Sequence, residues 1–163
     1  EMVPDIKQPI LLVTYPGKEE EAIIRLSRVG YDNTIGYLKG GFDAWKAAGK
    51  EVDTVKRISA EEFAREFKDK PVVIDVRKKS EYDSQHVEGA LNIPLNTINQ
   101  HLAEIPKDKP FILHCQGGYR SMIAASLLKQ RGWDDLVDVE GGFGAIKEMD
   151  VPVTEYQEPK TLL

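Results

Sequence analysis

The chain has 163 residues, 41% of them hydrophobic and 30% charged, with a formal net charge of -5. This is enough for one ordinary domain with a real core, or one and a half small ones, and no apolar run approaches the length of a membrane-spanning helix. Interspersed charge with an acidic balance argues against a nucleic-acid or anionic-membrane partner, and a lone cysteine rules out an internal disulfide.

From the N-terminus, Ile10 to Thr14 reads as a strand and Glu19 to Arg28 as an amphipathic helix. Two landmarks come after them, Gly30-Tyr31-Asp32-Asn33-Thr34-Ile35 and Gly40-Gly41-Phe42-Asp43-Ala44-Trp45. The polar stretch Lys50 to Arg57 is the expected join between a unit at 1–54 and a unit at 55–163. Beyond it, Ser59 is placed as the N-cap of a helix, and Val72 to Val76 reads as a strand. A polar helix-like stretch, an extended Ala90-Leu91-Asn92-Ile93-Pro94 and a helix through Leu102 come next. Phe111 to His114 is a short buried strand, and Ser121 to Gln130 a helix with Ala, Leu and Ile inward. Strands alternating with helices predict an α/β fold: a central parallel sheet flanked by helices in three layers, with active loops at the carboxyl ends of strands.

The chain also repeats itself. The two landmarks recur as Gly132-Trp133-Asp134-Asp135-Leu136-Val137 and Gly141-Gly142-Phe143-Gly144-Ala145-Ile146, each copy preceded by strand, loop and helix. In the first copy Tyr15 follows the strand and Glu19-Glu20-Glu21 stands in place of an arginine, so that copy is expected to be catalytically silent. It also begins at its central strand, which leaves an apolar face uncovered. The expectation is a C-terminal piece of a longer protein, with a domain-swapped or otherwise covered homodimer as the alternative.

Chemistry concentrates at Cys115, between that short strand and helix, in Cys115-Gln116-Gly117-Gly118-Tyr119-Arg120-Ser121. The glycines permit a turn that aims successive backbone N–H groups inward at a helix N-terminus, and Arg120 adds a cation beside it. Such a cradle lowers a thiol's pKa and holds negative charge on the sulfur or on an atom attached to it. The competing reading is an inert, buried cysteine, which does not require a glycine pair, an arginine and a helix start within five residues. A reactive free thiol also points to a reducing compartment, the cytoplasm.

Residues 57 to about 156 resemble the rhodanese family of sulfurtransferases. The resemblance rests on Asp75-Val76-Arg77, on Glu81 and His86 in Glu81-Tyr82-Asp83-Ser84-Gln85-His86, on the Cys115 to Ser121 loop, and on Gly141-Gly142-Phe143. Ile146 departs from it, standing where the family often has the tryptophan seen as Trp45 in the first copy. Residues 10–54 look like the second half of a degenerate rhodanese unit, as in fusions that carry a metallo-β-lactamase-fold domain upstream; no ligand of such a domain is assignable here, since His86, His101 and His114 have no metal-site spacing.

The resemblance implies that Cys115 takes sulfane sulfur from a small anionic donor, thiosulfate or a low-molecular-weight persulfide, and passes it to a thiol or cyanide acceptor without metal or organic cofactor. The N–H groups of residues 116 to 121 would hold the persulfide, and Arg120 would bind the donor. Asp75 with Arg77 is read as a structural ion pair in preference to a substrate contact. Glu81 with His86 is read as an orienting pair, Gln116 as a backbone donor and Tyr119 as lining the pocket mouth. His114 should face away from the thiol, because side chains alternate along a strand. His101 and the charge runs near Lys18 to Glu21 and Lys107 to Lys109 are read as solvated surface. Rival functions are a non-enzymatic binding or regulatory module and a cysteine phosphatase or arsenate reductase, whose loop holds five residues between cysteine and arginine where this one holds four.

Overall fold

The computed structural model describes residue 3 and residues 5–158; the extreme ends of the two predicted spans, at residues 1, 2, 4 and 159–163, lie outside the described residues. The chain divides after Thr54 into two compact units, each with its own sheet.

The first unit runs β1 (Ile10–Leu12), α1 (Glu19–Ser27), β2 (Thr34–Tyr37) and α2 (Gly41–Ala47). Three glutamates in the first turn of α1 complement the helix dipole, and Glu21 bridges Lys18 and Arg25. β1 and β2 pair in parallel, with a slip between Ile10 and Leu11. Two strands cannot close a core: among the described residues of this unit only Gly41 is buried, while Leu11, Val13, Tyr15 and Ile35 are exposed.

The second unit runs β3 (Lys56–Ile58), α3 (Ala60–Glu66), β4 (Val72–Asp75), α4 (Lys79–Ser84), β5 (Leu91–Asn92), β6 (Phe111–His114), α5 (Tyr119–Gln130), β7 (Leu136–Val139) and α6 (Gly142–Ile146). The sheet order is β3-β7-β6-β4-β5 and every pairing is parallel. This is the expected α/β architecture, a central parallel sheet flanked by helices. Alternation along each strand feeds two cores. On one face Phe111, Leu113, Ile74 and Leu136 meet Ala124, Ala125 and Leu128 of α5. On the other, Val73, Ile112 and Val139 meet Phe63 of α3 with Phe143 and Ile146 of α6. Ile146 is fully buried and fills the site where the first copy has Trp45.

Local signals explain most boundaries. Ser59 caps α3 in a reciprocal box, its hydroxyl accepting from the Glu62 N–H at 3.2 Å while the Glu62 carboxylate accepts from the Ser59 N–H at 2.9 Å. Two expectations are corrected. The helix predicted through Leu102 is a pair of 3-10 segments, Leu95–Gln100 and Leu102–Glu104, because Asn96, Thr97 and Asn99 compete for the backbone; Thr97 Oγ1 donates to the Pro94 carbonyl. α5 starts at Tyr119, two residues before the predicted Ser121, because Gly118 caps it in the left-handed region at φ 94°.

The two copies share their glycine geometry. Gly41 and Gly142 both open a helix at positive φ, and a Cβ on Gly41 would stand 2.2 Å from the Thr14 carbonyl oxygen, while one on Gly142 would stand 2.3 Å from that of Cys115. Thr14, not Tyr15, therefore occupies the position equivalent to Cys115.

Both core clusters are drawn entirely from the second unit. Residues 55–163 produced alone are expected to unfold in one cooperative denaturant transition; a broad, probe-dependent transition would show that the core needs the first unit.

Candidate active site

β6 ends at His114, and the chain then turns out of the sheet into α5. The turn is held from outside by α6: the Phe143 N–H donates to the Cys115 carbonyl at 2.7 Å and the Gly144 N–H to that of Gln116 at 3.1 Å. The left-handed Gly142 is what allows this approach, since any side chain there would strike the Cys115 carbonyl.

Inside the turn, Cys115 Sγ accepts hydrogen bonds from the Gly118 N–H at 3.2 Å and the Ser121 hydroxyl at 3.5 Å. Burial pushes the thiol pKa up, but the Ser121 hydroxyl and the amides of Ser121, Gly117 and Gly118 outweigh it, so the pKa falls below the ordinary thiol value. Of the two loop glycines only Gly118 adopts the left-handed region; at Gly117 a Cβ would meet nothing within 4 Å. Tyr119 is exposed, and Gln116 lies on the surface of the loop.

Arg120 is oriented differently from expectation. Its guanidinium forks onto Glu81 of α4, NH1 to Oε2 at 2.5 Å and NH2 to Oε1 at 2.8 Å, a bidentate pair linking the first turn of α5 to α4. The hydrogen bond from Arg120 holds the Glu81 carboxyl below its usual range, and Glu81 in turn raises Arg120. Glu81 and His86 accordingly do not form a pair. The His86 ring stacks on Tyr82 with centroids 3.6 Å apart, and its Nδ1 donates to the Tyr82 carbonyl at 2.7 Å.

Asp75 and Arg77 are buried together at the end of β4. Arg77 Nε and NH2 reach Asp75 Oδ2 at 2.9 and 2.7 Å. NH2 also donates to the Gln85 carbonyl at 2.7 Å, NH1 to Gln116 Oε1 at 3.2 Å, and the guanidinium lies 4.0 Å from the centroid of the Phe143 ring. Gln116 thus contributes its side chain as well as its backbone. His114 is fully buried and takes the opposite sheet face from Cys115, beside Phe143. Burial lowers its pKa, with Asp75 pulling weakly the other way, so it stands neutral.

Several neighbours escaped the sequence reading. Asn92 Nδ2 donates to the carbonyls of Asp75 and Arg77, both at 3.0 Å; a lone amide inside Ala-Leu-Asn-Ile-Pro was the available signal. Arg57 NH2 would lie 3.5 Å from a Cβ on Gly118, and nothing in the local sequence announces that. A cavity of about 330 Å³ beside the loop is lined by Arg77, Glu81, Gln116, Phe143, Lys147 and Tyr156.

Residues 59–149 match the Rhodanese-like domain family. The chain belongs to that family. Among its relatives, the uncharacterized protein YqhL of Bacillus subtilis is 39% identical over 89 residues, which are 55% of this chain and 70% of that protein. Thiosulfate sulfurtransferase GlpE of Shewanella oneidensis is 26% identical over 60% of this chain and 97% of its own length. Against a longer relative, whose name combines adenylyltransferase with sulfurtransferase, the match spans only 23% of that protein. A rhodanese-like domain protein from Staphylococcus aureus is similar in structure, with TM-score 0.56 and 30% identity over 62% of this chain and all of that one. The rhodanese-like relatives thus include sulfurtransferases.

Two outcomes are expected of the geometry. Thiol reactivity rises with pH as thiolate forms, so a lowered pKa extends it to more acidic pH: alkylation of Cys115 by iodoacetamide should have its midpoint below that of an ordinary thiol, and Ser121→Ala should move it up. Asp75→Asn leaves Arg77 buried without its counter-charge and should lower the unfolding free energy by about 3 kcal/mol in denaturant titrations.

Proposed function

We propose that the second unit is a sulfurtransferase that carries sulfane sulfur on Cys115. The observation that carries this reading is the enclosure of Sγ by the Gly118 amide and the Ser121 hydroxyl at the start of the 12-residue α5. A sulfur attached to Sγ would extend from this hydrogen-bonded seat, its charge facing the same helix N-terminus.

The chemistry is two displacements. The Cys115 thiolate attacks the outer sulfur of thiosulfate; the S–S bond breaks and sulfite leaves with the electron pair, giving Cys–S–S⁻. With a persulfide RS–SH the leaving group is RS⁻, and the Cys–S–SH formed loses its proton. A thiolate or cyanide then attacks the terminal sulfur, and the Cys115 thiolate leaves, restored. No electrons are gained or lost over the cycle, and alternation of donor and acceptor gives ping-pong kinetics. Held by Glu81, Arg120 serves here to fasten α5 to α4, and preorganised amides supply the main stabilisation. Removing one such donor typically costs on the order of a hundredfold in rate.

The first unit is, on this reading, the second half of a degenerate copy. Thr14 stands at the nucleophile's position and carries no thiol, so the unit is silent in transfer. Its uncovered face is suited to the strands of the unit's missing first half, and the resemblance to fusion proteins implies a metallo-β-lactamase-fold domain ahead of both units.

Intact mass spectrometry before and after thiosulfate or cysteine persulfide tests the proposal. The parent chain should gain one sulfur, discharged by cyanide or a thiol, while Cys115→Ser gains none. A folded parent that gains no sulfur from either donor, or a Cys115→Ser chain that still transfers, would overturn it.

A further inference from the structure

Three guanidiniums stand around the Cys115 loop, and each is already met by carboxylate. Arg77 is paired with Asp75 at 2.7 Å. Arg120 is paired with Glu81 at 2.5 Å. Arg57, against Gly118, reaches Asp138 at 3.0 Å through Nε and Glu140 at 3.3 Å through NH1. Three cations thus face four carboxylates, which leaves one negative charge in excess. The next cation, Lys147, lines the cavity beside Gln116 and has Glu148 at 3.8 Å. What attracts an anion to this loop is therefore its backbone dipoles, without a surplus of full positive charge.

The pairs are not equivalent. Arg77 and Asp75 are buried, and Arg77 is further fixed by Gln85, Gln116 and Phe143. Arg57 has two carboxylates, so loss of one leaves the other. The Arg120–Glu81 pair is different: both side chains are about one-third exposed, at 29% and 32%, Arg120 sits in the first turn of the helix that carries Ser121, and Glu81 is its sole carboxylate partner among the pairs found in the described residues.

We propose that Glu81 is a positioning residue that sets the donor preference of this site: by holding Arg120, it leaves the loop suited to a persulfide that reacts with no net charge and poorly suited to the dianion thiosulfate. The inference rests on the sulfurtransferase reading and deepens it. Repulsion by a negative surround, and any gain from freeing Arg120, grow in proportion to donor charge. A dianion therefore responds to both, whereas cysteine persulfide, reacting as RS–SH with its ammonium and carboxylate in balance, responds to neither.

The experiment measures the second-order rate of sulfur loading onto Cys115, by intact mass, for thiosulfate and for cysteine persulfide, in the full chain and in Glu81→Gln. Glutamine keeps the shape and a side-chain acceptor for the Lys78 N–H that Glu81 now receives at 3.1 Å, but releases the charge of Arg120. Loading by thiosulfate should rise about tenfold and loading by cysteine persulfide should stay the same, so that their ratio rises about tenfold. A second measurement needs no variant: raising ionic strength should speed thiosulfate loading of the parent chain by screening repulsion. Should Glu81→Gln fail to fold, the sign of the parent's salt effect decides. An unchanged donor ratio in a folded Glu81→Gln, or thiosulfate loading of the parent that slows with salt, would overturn the role of Glu81 while leaving the sulfurtransferase reading intact. Absence of loading by either donor would overturn both.

Discussion

One buried guanidinium ties together the carboxyl end of the sheet. Arg77 closes onto Asp75 at the end of β4, onto the Gln85 carbonyl at the end of α4, onto Gln116 in the Cys115 loop and onto the ring of Phe143 in α6. A buried ion pair is a poor source of net stability, because desolvating both ions offsets most of their attraction. Its contribution here is geometric. Four segments that share no regular hydrogen-bond ladder at this edge are referred to one rigid fork, whose planar donors admit few alternative arrangements. Phe143 belongs to the same assembly twice, through its ring against Arg77 and through its N–H on the Cys115 carbonyl. The position of the thiol is thus coupled to the ion pair by two routes.

That frame separates two electrostatic tasks that the residue order alone runs together. Arg120 lies five positions after the cysteine, and proximity in sequence suggests a cation for the thiolate. In the fold the cation is absorbed by Glu81, and the thiol depends on the Ser121 hydroxyl and on amides for its lowered pKa. Dipoles suit a sulfur anion. They stabilise charge without forming the tight contact that a free guanidinium would make, and they are fixed in direction by the turn at Gly118.

Features governed by neighbours in sequence were legible. The N-cap at Ser59, the glycine turn after Cys115, and the alternation that sends Cys115 and His114 to opposite faces are all dictated by a few consecutive residues. The partners that complete the site come from afar. Glu81 is 39 residues from Arg120, and Gln116 is 39 residues from Arg77. A carboxylate on a short polar helix has many possible partners, so reading Glu81 with nearby His86 reflected proximity in sequence where the fold supplied a stronger cation. The 3-10 segments between Leu95 and Glu104 were misread because apolar Leu95, Ile98 and Leu102 recur at spacings that suit an α-helix, while the Asn and Thr between them disfavour one.

The internal repeat shows why the two units differ so much in burial despite their common strand–helix–strand–helix order. In the second unit, β4 pairs along β6 from Val72 to Asp75 and is itself followed by β5, while β3 extends the other edge on β7. Those three strands, with α3, turn a two-stranded ribbon into a sheet covered on both faces, and Leu113 and Ile112 are buried as a result. In the first unit the equivalent positions, Leu12 and Leu11, belong to a two-stranded sheet, and Leu11 remains 71% exposed. The same local code therefore yields a closed core in one case and an open apolar face in the other. The difference lies in whether strands flank the repeated half, since both copies keep the glycine pair that brings the second helix down onto the end of the first strand. The geometry of the turn is set by that pair, whereas its capacity for chemistry depends on the side chain at the strand's carboxyl end: Thr14, with a hydroxyl far less acidic than a thiol, in one copy, and Cys115 seated on the Gly118 amide in the other.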